Sequence, residues 1–294
     1  MSSTSTDRYL ARFRRVFDFI DAHADEDLCL DRLSNIAAFS KFHFQRQFGD
    51  LFGISVHKYV RLVRLKRASY ALAFRDDSRI VDIALASGYD GPEAFARAFR
   101  KNTGQSPSEF RRQPQWLPWH AAYEPLGELR SRYMRPNHRV DQVSIVDFEE
   151  TAVAALEYRG DPKLLGTAVR TFIDWRRQNG LPAGASRTFN VVYAHPVDGG
   201  PCHYDLCAAT DRPVNANGFG VVAKRIPAGR CAMLRHVGSD DTLEDTVSFL
   251  YSQWLPQSGE ELRDFPLFFQ RVNLFPSVPE HEAITDVFLP LATY

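Results

Sequence analysis

The sequence predicts a multidomain chain: an all-α N-terminal domain with two helix-turn-helix units joined by a long helix, then an α+β C-terminal domain of two duplicated strand-helix-strand-strand units. The first half repeats itself at an offset of 51 residues, and the second half does so at offsets of 78 to 81. Between the halves the apolar pattern changes from a helical period to strand-like alternation. The chain has 294 residues, enough for two domains that each bury a core. With 44% hydrophobic and 24% charged residues its composition is globular.

The net charge of zero hides a division. Residues 1–139 carry 23 Lys/Arg against 16 Asp/Glu, whereas residues 140–294 carry 13 against 20. That asymmetry suggests a basic nucleic-acid-binding half joined to an acidic partner. The polar start, Met1 to Asp7, has no apolar core and does not read as a signal peptide. No apolar run approaches the ~20 residues that span a bilayer, so no membrane partner is expected. Cys29, Cys202, Cys207 and Cys231 are few and irregular, as expected of reduced thiols in a cytoplasmic protein. The set His195, Cys202, His203 and Cys207 fits zinc-ligand spacing only loosely, so no metal is expected.

In the first half the offset of 51 maps Phe44, Arg46, Phe48, Gly53 and Ser55 onto Phe95, Arg97, Phe99, Gly104 and Ser106. A short apolar-periodic helix precedes each copy (Leu30, Leu33, Ile36; Ile80, Ile83, Ala84), followed by a turn near Phe39-Ser40 or Gly88-Tyr89-Asp90. Short helix, tight turn and second helix with Phe at i and i+4 form a helix-turn-helix. Ser40 is the expected N-cap of the first long helix. Asp90 with Glu93 reads as a capping box for the second, with Pro92 in its first turn. Gly53 and Gly104 are the expected C-caps. Ser55 to Ala73 reads as one connecting helix of about 19 residues, roughly 28 Å long, comparable with the ~34 Å between successive major-groove faces. Gln113 to His138 holds Pro114, Pro118, Pro125 and Pro136 and shows no sustained period, so residues 113–142 read as a linker partly packed by its aromatics.

Residues 8–112 resemble the AraC/XylS-type DNA-binding domain, and the run GYDGPEAFARAFRKNTGQSPSEFR closely follows that family's signature. The resemblance implies double-stranded DNA as partner. With Phe44 and Phe48 facing the core, Phe42, Gln45 and Arg46 fall on the open face. The family's base-reading positions fall at these three, and by the internal offset at Glu93, Ala96 and Arg97. Arginine suits guanine and Gln45 adenine, while Phe42 can meet a thymine methyl and Ala96 offers only apolar contact. Lys41, Lys58, Arg61, Arg64, Lys66, Arg67, Arg100 and Lys101 are candidates for phosphate contact.

In the second half FEETAVAALEYRGD, from Phe148, overlies IPAGRCAMLRHVGS, from Ile226. WRRQNG overlies WLPQSG, TFNVVY overlies PLFFQR, and YDLCA overlies TDVFL. Helices are expected near Leu164–Gln178 and Leu243–Trp254, with alternating strands elsewhere. Two such units suggest antiparallel sheets with a helix on each, related by a pseudo-twofold axis, and a ligand cleft at that axis. Residues 143–294 resemble the GyrI-like effector-binding domain through IPAGRCAMLRHVG, WLPQSGEELRDFP and EAITDVFLPL, and the domain order is similar to that of Rob-type regulators.

The resemblance implies a pocket for a small-molecule effector, apolar or cationic. Its candidate lining is Tyr158, Trp175, Tyr193, His236, Trp254 and Phe269. The family's usual Glu and Tyr align with Phe269 and Arg271, which argues against a cationic ligand and against a hydrolase. There is no G-x-S-x-G elbow, P-loop or dinucleotide fingerprint, so no catalytic site and no cofactor are expected. The expectation is a cytoplasmic DNA-binding transcription regulator whose effector biases DNA binding or contact with RNA polymerase. The alternative is a hydrolase of strained small molecules that depends on Glu157 or Tyr193 and carries a DNA-binding appendage. A third reading is a protein-interaction module without ligand.

Overall fold

A computed structural model describes residues 5–75, 77–194 and 200–293. The chain divides into two compact units, Met1–Arg135 with Phe275–Glu282, and Pro136–Leu274 with Ala283–Tyr294.

The first unit is helical: α1 Ser5–Ala22, α2 Leu30–Ile36, α3 Lys41–Phe52, α4 Val56–Phe74, α5 Ile80–Ala86, α6 Pro92–Thr103, α7 Pro107–Arg112 and α8 Trp116–Tyr133. Helices α2–α3 and α5–α6 are the two helix-turn-helix units, and α4 joins them. Ser40 and Ser55 cap α3 and α4, their side chains accepting from the amides of His43 and Lys58. Gly53 and Gly104 end α3 and α6 in the left-handed region at φ 70° and 79°, where a Cβ would be strained. The start of α6 differs from expectation. Its N-cap is Gly91, in extended backbone with no side-chain cap, and Pro92 opens the helix without Asp90. The complete capping box lies one helix later, where Ser106 and Glu109 satisfy each other's amides at α7.

Phe44, Phe48, Phe95 and Phe99 are fully buried in one core with Phe13, Phe17 and Tyr59. Each such side chain contributes about 1.5–3 kcal/mol of burial. The stretch read as linker is a correction: residues 116–133 form a continuous helix with Pro125 inside it. Trp116, Trp119, Tyr123, Leu126 and Leu129 drive this by entering the same core, so tertiary burial overrides the proline signal.

The second unit holds β1 Ser144–Phe148, β2 Thr151–Gly160, α9 Leu165–Gln178, β3 Thr188–Ala194, β4 Cys202–Ala209, β5 Val221–Ile226, β6 Gly229–Val237, α10 Leu243–Phe249, α11 Leu255–Ser258, β7 Phe268–Arg271 and β8 Ile284–Pro290. A π turn, Leu250–Trp254, joins α10 to α11. The expected pair of sheets is a single curled antiparallel sheet of order β1-β6-β8-β7-β3-β4-β2-β5. Pairing of β3 with β7, Val191 opposite Phe268, fuses the halves. The first strand of each repeat is also exchanged: β1 pairs with β6 of the second repeat and β5 with β2 of the first.

Strand alternation gives this sheet two faces. One lies under the helices, where Phe172 and Trp175 pack on Ala154, Leu156, Leu206 and Ala208, and Phe249, Leu250 and Trp254 pack on Leu234, Phe269 and Val287. The other gathers Phe148, Phe189, Phe268 and Phe288 with Val153, Val191, Cys207 and Cys231. Among the described residues no helix is long and apolar enough to cross a membrane.

Candidate nucleic-acid interface and ligand-binding face

The predicted base readers sit on the outer faces of α3 and α6. Phe42 is 87% exposed, a large apolar ring held in solvent at the start of α3. Gln45 and Arg46 are exposed beside it, as are Glu93 and Arg97 on α6, while Ala96 is half-buried. The Arg46 Nε lies 2.8 Å from Asp50 Oδ2 one turn on, an exposed i,i+4 pair that is readily given up to a better acceptor. Lys41 pairs with Asp31. Arg61, Arg100 and Lys101 are exposed and Lys58 is half-buried. Arg100 reaches Glu109 at 3.7 Å.

Two phosphate candidates are corrected. The Arg64 guanidinium donates to three backbone carbonyls, Ala24 at 2.8 Å, Glu26 at 2.6 Å and Gly88 at 3.3 Å. It ties α4 to the segment between α1 and α2 and to the turn after α5, and a Cβ on Gly88 would lie 2.6 Å from its Cζ. Lys66 is buried and donates to Glu280 Oε1 at 2.8 Å. The helical period places both on α4, but it does not show which flank of the helix later segments cover.

The pocket candidates divide between the two sheet faces. Trp175, Trp254 and Phe269 are buried under the helices. His236 is also buried and bonded to Thr246 Oγ1 at 2.8 Å and to the Ser239 carbonyl at 3.0 Å. The Tyr158 hydroxyl donates to the Asp161 carbonyl at 2.6 Å. Tyr193 alone of the six stands with the opposite face. Its ring stacks on His203 at 4.4 Å, its hydroxyl donates to Asp205 Oδ2 at 3.0 Å, and an irregular register in β3 lies between Val192 and Ala194 around it.

That opposite face shows the duplication in side chains. One cross-strand row runs Glu157, Asp205, Val191, Phe268, and the other Arg235, Asp286, Gln270, Phe189. The second residue of each row is a buried aspartate held by a cation. Asp205 accepts from Lys224 Nζ at 2.7 and 2.8 Å, and Asp286 from Arg235 at 2.7 and 2.9 Å. On the same face Phe148, Phe268 and Phe288 pack together, with ring centroids 4.8–5.4 Å apart. The match of YDLCA with TDVFL in the sequence superimposes these two aspartates.

Glu157, His203 and Asp205 offer ligand atoms within 4.8 Å of one another. Lys224 already stands among them, 3.4 Å from Glu157. Burial works against its ammonium, yet the bonds to Asp205 hold its pKa above the ordinary value. A hydrogen bond from Arg159, with Lys224 behind it, keeps the Glu157 carboxyl below its usual range. Burial and the bond to Asp205 push the Tyr193 phenol up. Neither group is set for proton transfer near neutral pH, so the hydrolase alternative gains nothing here. Of the loose zinc-like set, His195 lies outside the described residues, and Cys202 Sγ donates to the Gly160 carbonyl at 3.3 Å.

Comparison with known proteins accords with both units. The GyrI-like small molecule binding domain matches residues 141–292, and a helix-turn-helix domain matches residues 33–113. The probable transcriptional regulator YgiV of Escherichia coli K12 is 39% identical over 153 residues, 51% of this chain and 96% of YgiV. The right origin-binding protein of the same organism is 38% identical over 104 residues, 35% of each chain. The solved C-terminal domain of EcmrR aligns with 52% of this chain and 98% of that domain, at 15% identity and TM-score 0.45.

Proposed function

The chain belongs to the GyrI-like small molecule binding domain family and carries an AraC-type helix-turn-helix domain, and from that premise we propose that it is a transcription regulator that reads double-stranded DNA with α3 and α6. The supporting observation is the matched pair of outward faces, Phe42, Gln45 and Arg46 on α3 and Glu93, Ala96 and Arg97 on α6. They are joined by a 19-residue α4, about 28 Å long. One chain then reads two adjacent turns of the major groove. Arg46 and Arg97 contact guanine edges, while Lys58, Arg61, Arg100 and Lys101 supply phosphate attraction.

The effector is a small molecule with an aromatic or aliphatic body and a polar substituent. It docks on the aromatic sheet face that carries the Asp205–Lys224 and Asp286–Arg235 pairs. Because each carboxylate already has its cation, a ligand with net positive charge gains little there. The output is a change in DNA affinity or in contact with RNA polymerase, in the cytoplasm, and requires the effector to bind two states of the protein unequally.

Footprinting of the purified chain on random and genomic fragments tests DNA reading, and no protected sequence at moderate salt would sink it. A thermal-shift screen against a metabolite library tests the sensor. A true effector raises the melting point as its concentration passes its Kd.

A further inference from the structure

The segment Phe275–Glu282 lies in sequence between β7 and β8, yet its packing assigns it to the first unit. Glu280, 8% exposed, accepts from Lys66 Nζ at 2.8 Å and from Arg130 Nη1 at 2.6 Å. The wholly buried Arg130 also donates through Nη2 to both oxygens of Asp21, at 2.8 and 2.9 Å. Lys66 lies on α4, Asp21 on α1 and Arg130 on α8, so this cluster of two cations and two carboxylates binds the helical unit together. Without Glu280 it would hold an excess positive charge out of water. The Phe275 ring meets Tyr70, also on α4, at 4.9 Å.

The tether at the sheet end is short. Val272 N–H donates to the Ile284 carbonyl at 2.9 Å, and the Ile284 amide donates to Asn273 Oδ1 at 2.6 Å, pinning the two ends of the excursion together. Strands β7 and β8 carry Phe268, Gln270, Asp286 and Phe288 of the ligand face.

We propose that Phe275–Glu282 is a coupling strut: it completes the buried charge cluster of the DNA-binding unit through Glu280 and carries movements of β7 and β8 to α4, the helix that fixes the spacing of the two recognition helices. The proposal rests on the regulator reading above for its purpose, but its physical content is separate. A coupling claim needs an element that both sites bias, and α4 is that element.

The test uses the full chain, with hydrogen exchange of α4 amides and binding to a DNA site selected from a random pool. Glu280→Gln should speed α4 exchange and weaken specific binding at least tenfold, while Glu282→Gln on the same segment changes neither. The pair Lys66→Met with Glu280→Gln removes one charge of each sign and keeps Arg130 on Asp21, so it serves where the single variant does not fold. Phe288→Leu on the ligand face should change α4 exchange at least threefold in the wild-type background and not in this double variant. Equal effects in both backgrounds, or none in the wild type, overturn the strut. Failure of the wild-type chain to select any DNA site overturns the regulator reading instead, and leaves the exchange comparison to decide the strut.

Discussion

Lys66 and Glu280 stand 214 positions apart in the chain and 2.8 Å apart in space, both buried, with Arg130 on the other oxygen of the same carboxylate. A carboxylate so placed gives two helices of the first unit a common anchor from the far end of the sequence. Its worth is in what happens when one member is removed. A buried ion pair is close to neutral against an apolar replacement, but a widowed buried charge is strongly destabilising.

Arg130→Met is therefore expected to lower unfolding stability by about 3–5 kcal/mol, read as a shift of the urea midpoint. Burial already pushes the Asp21 carboxyl up to about 6 against the pull of Arg130, so loss of the guanidinium raises it further. A loss below about 1 kcal/mol would mean that water enters the site and screens what remains.

The base readers and the phosphate contacts separate by their salt dependence. Arg46→Ala and Arg97→Ala should each weaken specific binding by about 1–3 kcal/mol and relax sequence preference. Arg61→Ala should weaken binding to all sequences and reduce the log–log salt slope by about 1. Arg64→Ala should leave that slope unchanged and lower the melting temperature, because its guanidinium holds three carbonyls of the fold. A salt slope that falls with Arg64→Ala would return it to the phosphate set.

Trp254 and the ligand face are distinguishable by stability. Trp254→Ala should destabilise by about 3–5 kcal/mol, with or without an effector, since its ring fills the core under α10. Asp286→Asn, by contrast, should alter the melting-point rise given by an effector much more than the melting point of the free protein. The opposite pattern would move the pocket to the helix side.

Two imidazoles share one hydroxyl in the sheet unit. His236 Nε2–H donates to the Ser239 carbonyl, so its Nδ1 accepts from Thr246 Oγ1, and that oxygen accepts from His138 Nε2 at 2.8 Å. Burial holds both histidines below the usual 6.5, and the neighbouring His236 adds to the effect at His138. The unfolded chain therefore binds the protons more tightly. The stability contributed is complete above pH 6.5 and is lost as pH falls through the lower folded values. Urea midpoints should drop between pH 7.5 and 5.5, and His236→Asn should flatten that slope. An unchanged slope would show that His236 does not titrate over this range.

Much of the fold was legible because it is written in local signals and in repetition. Ser40, Ser55, Gly53 and Gly104 mark helix ends through their own side chains or φ angles, and the Phe pairs at i and i+4 mark the buried faces. The linker reading failed because prolines at 114, 118 and 125 are local evidence against a helix, whereas the burial of Trp116, Trp119 and Tyr123 that stabilises it comes from other helices. The pocket candidates failed to gather because aromatic rings look alike in sequence on both sheet faces. Only the strand parity, fixed by the register, tells Phe268 from Phe269.

By itself the sequence determined the two duplications, the class of each half and the outward-facing residues of α3 and α6, since all of these follow from periods of a few residues or from self-similarity. Tertiary structure decided the fusion of two repeats into one sheet with exchanged outer strands. It also decided the neutralisation of Asp205 and Asp286 and the seating of Glu280 among Lys66, Arg130 and Asp21. Those are meetings of charges distant in the chain. Their energy depends on separation and burial, which no pattern along the sequence records.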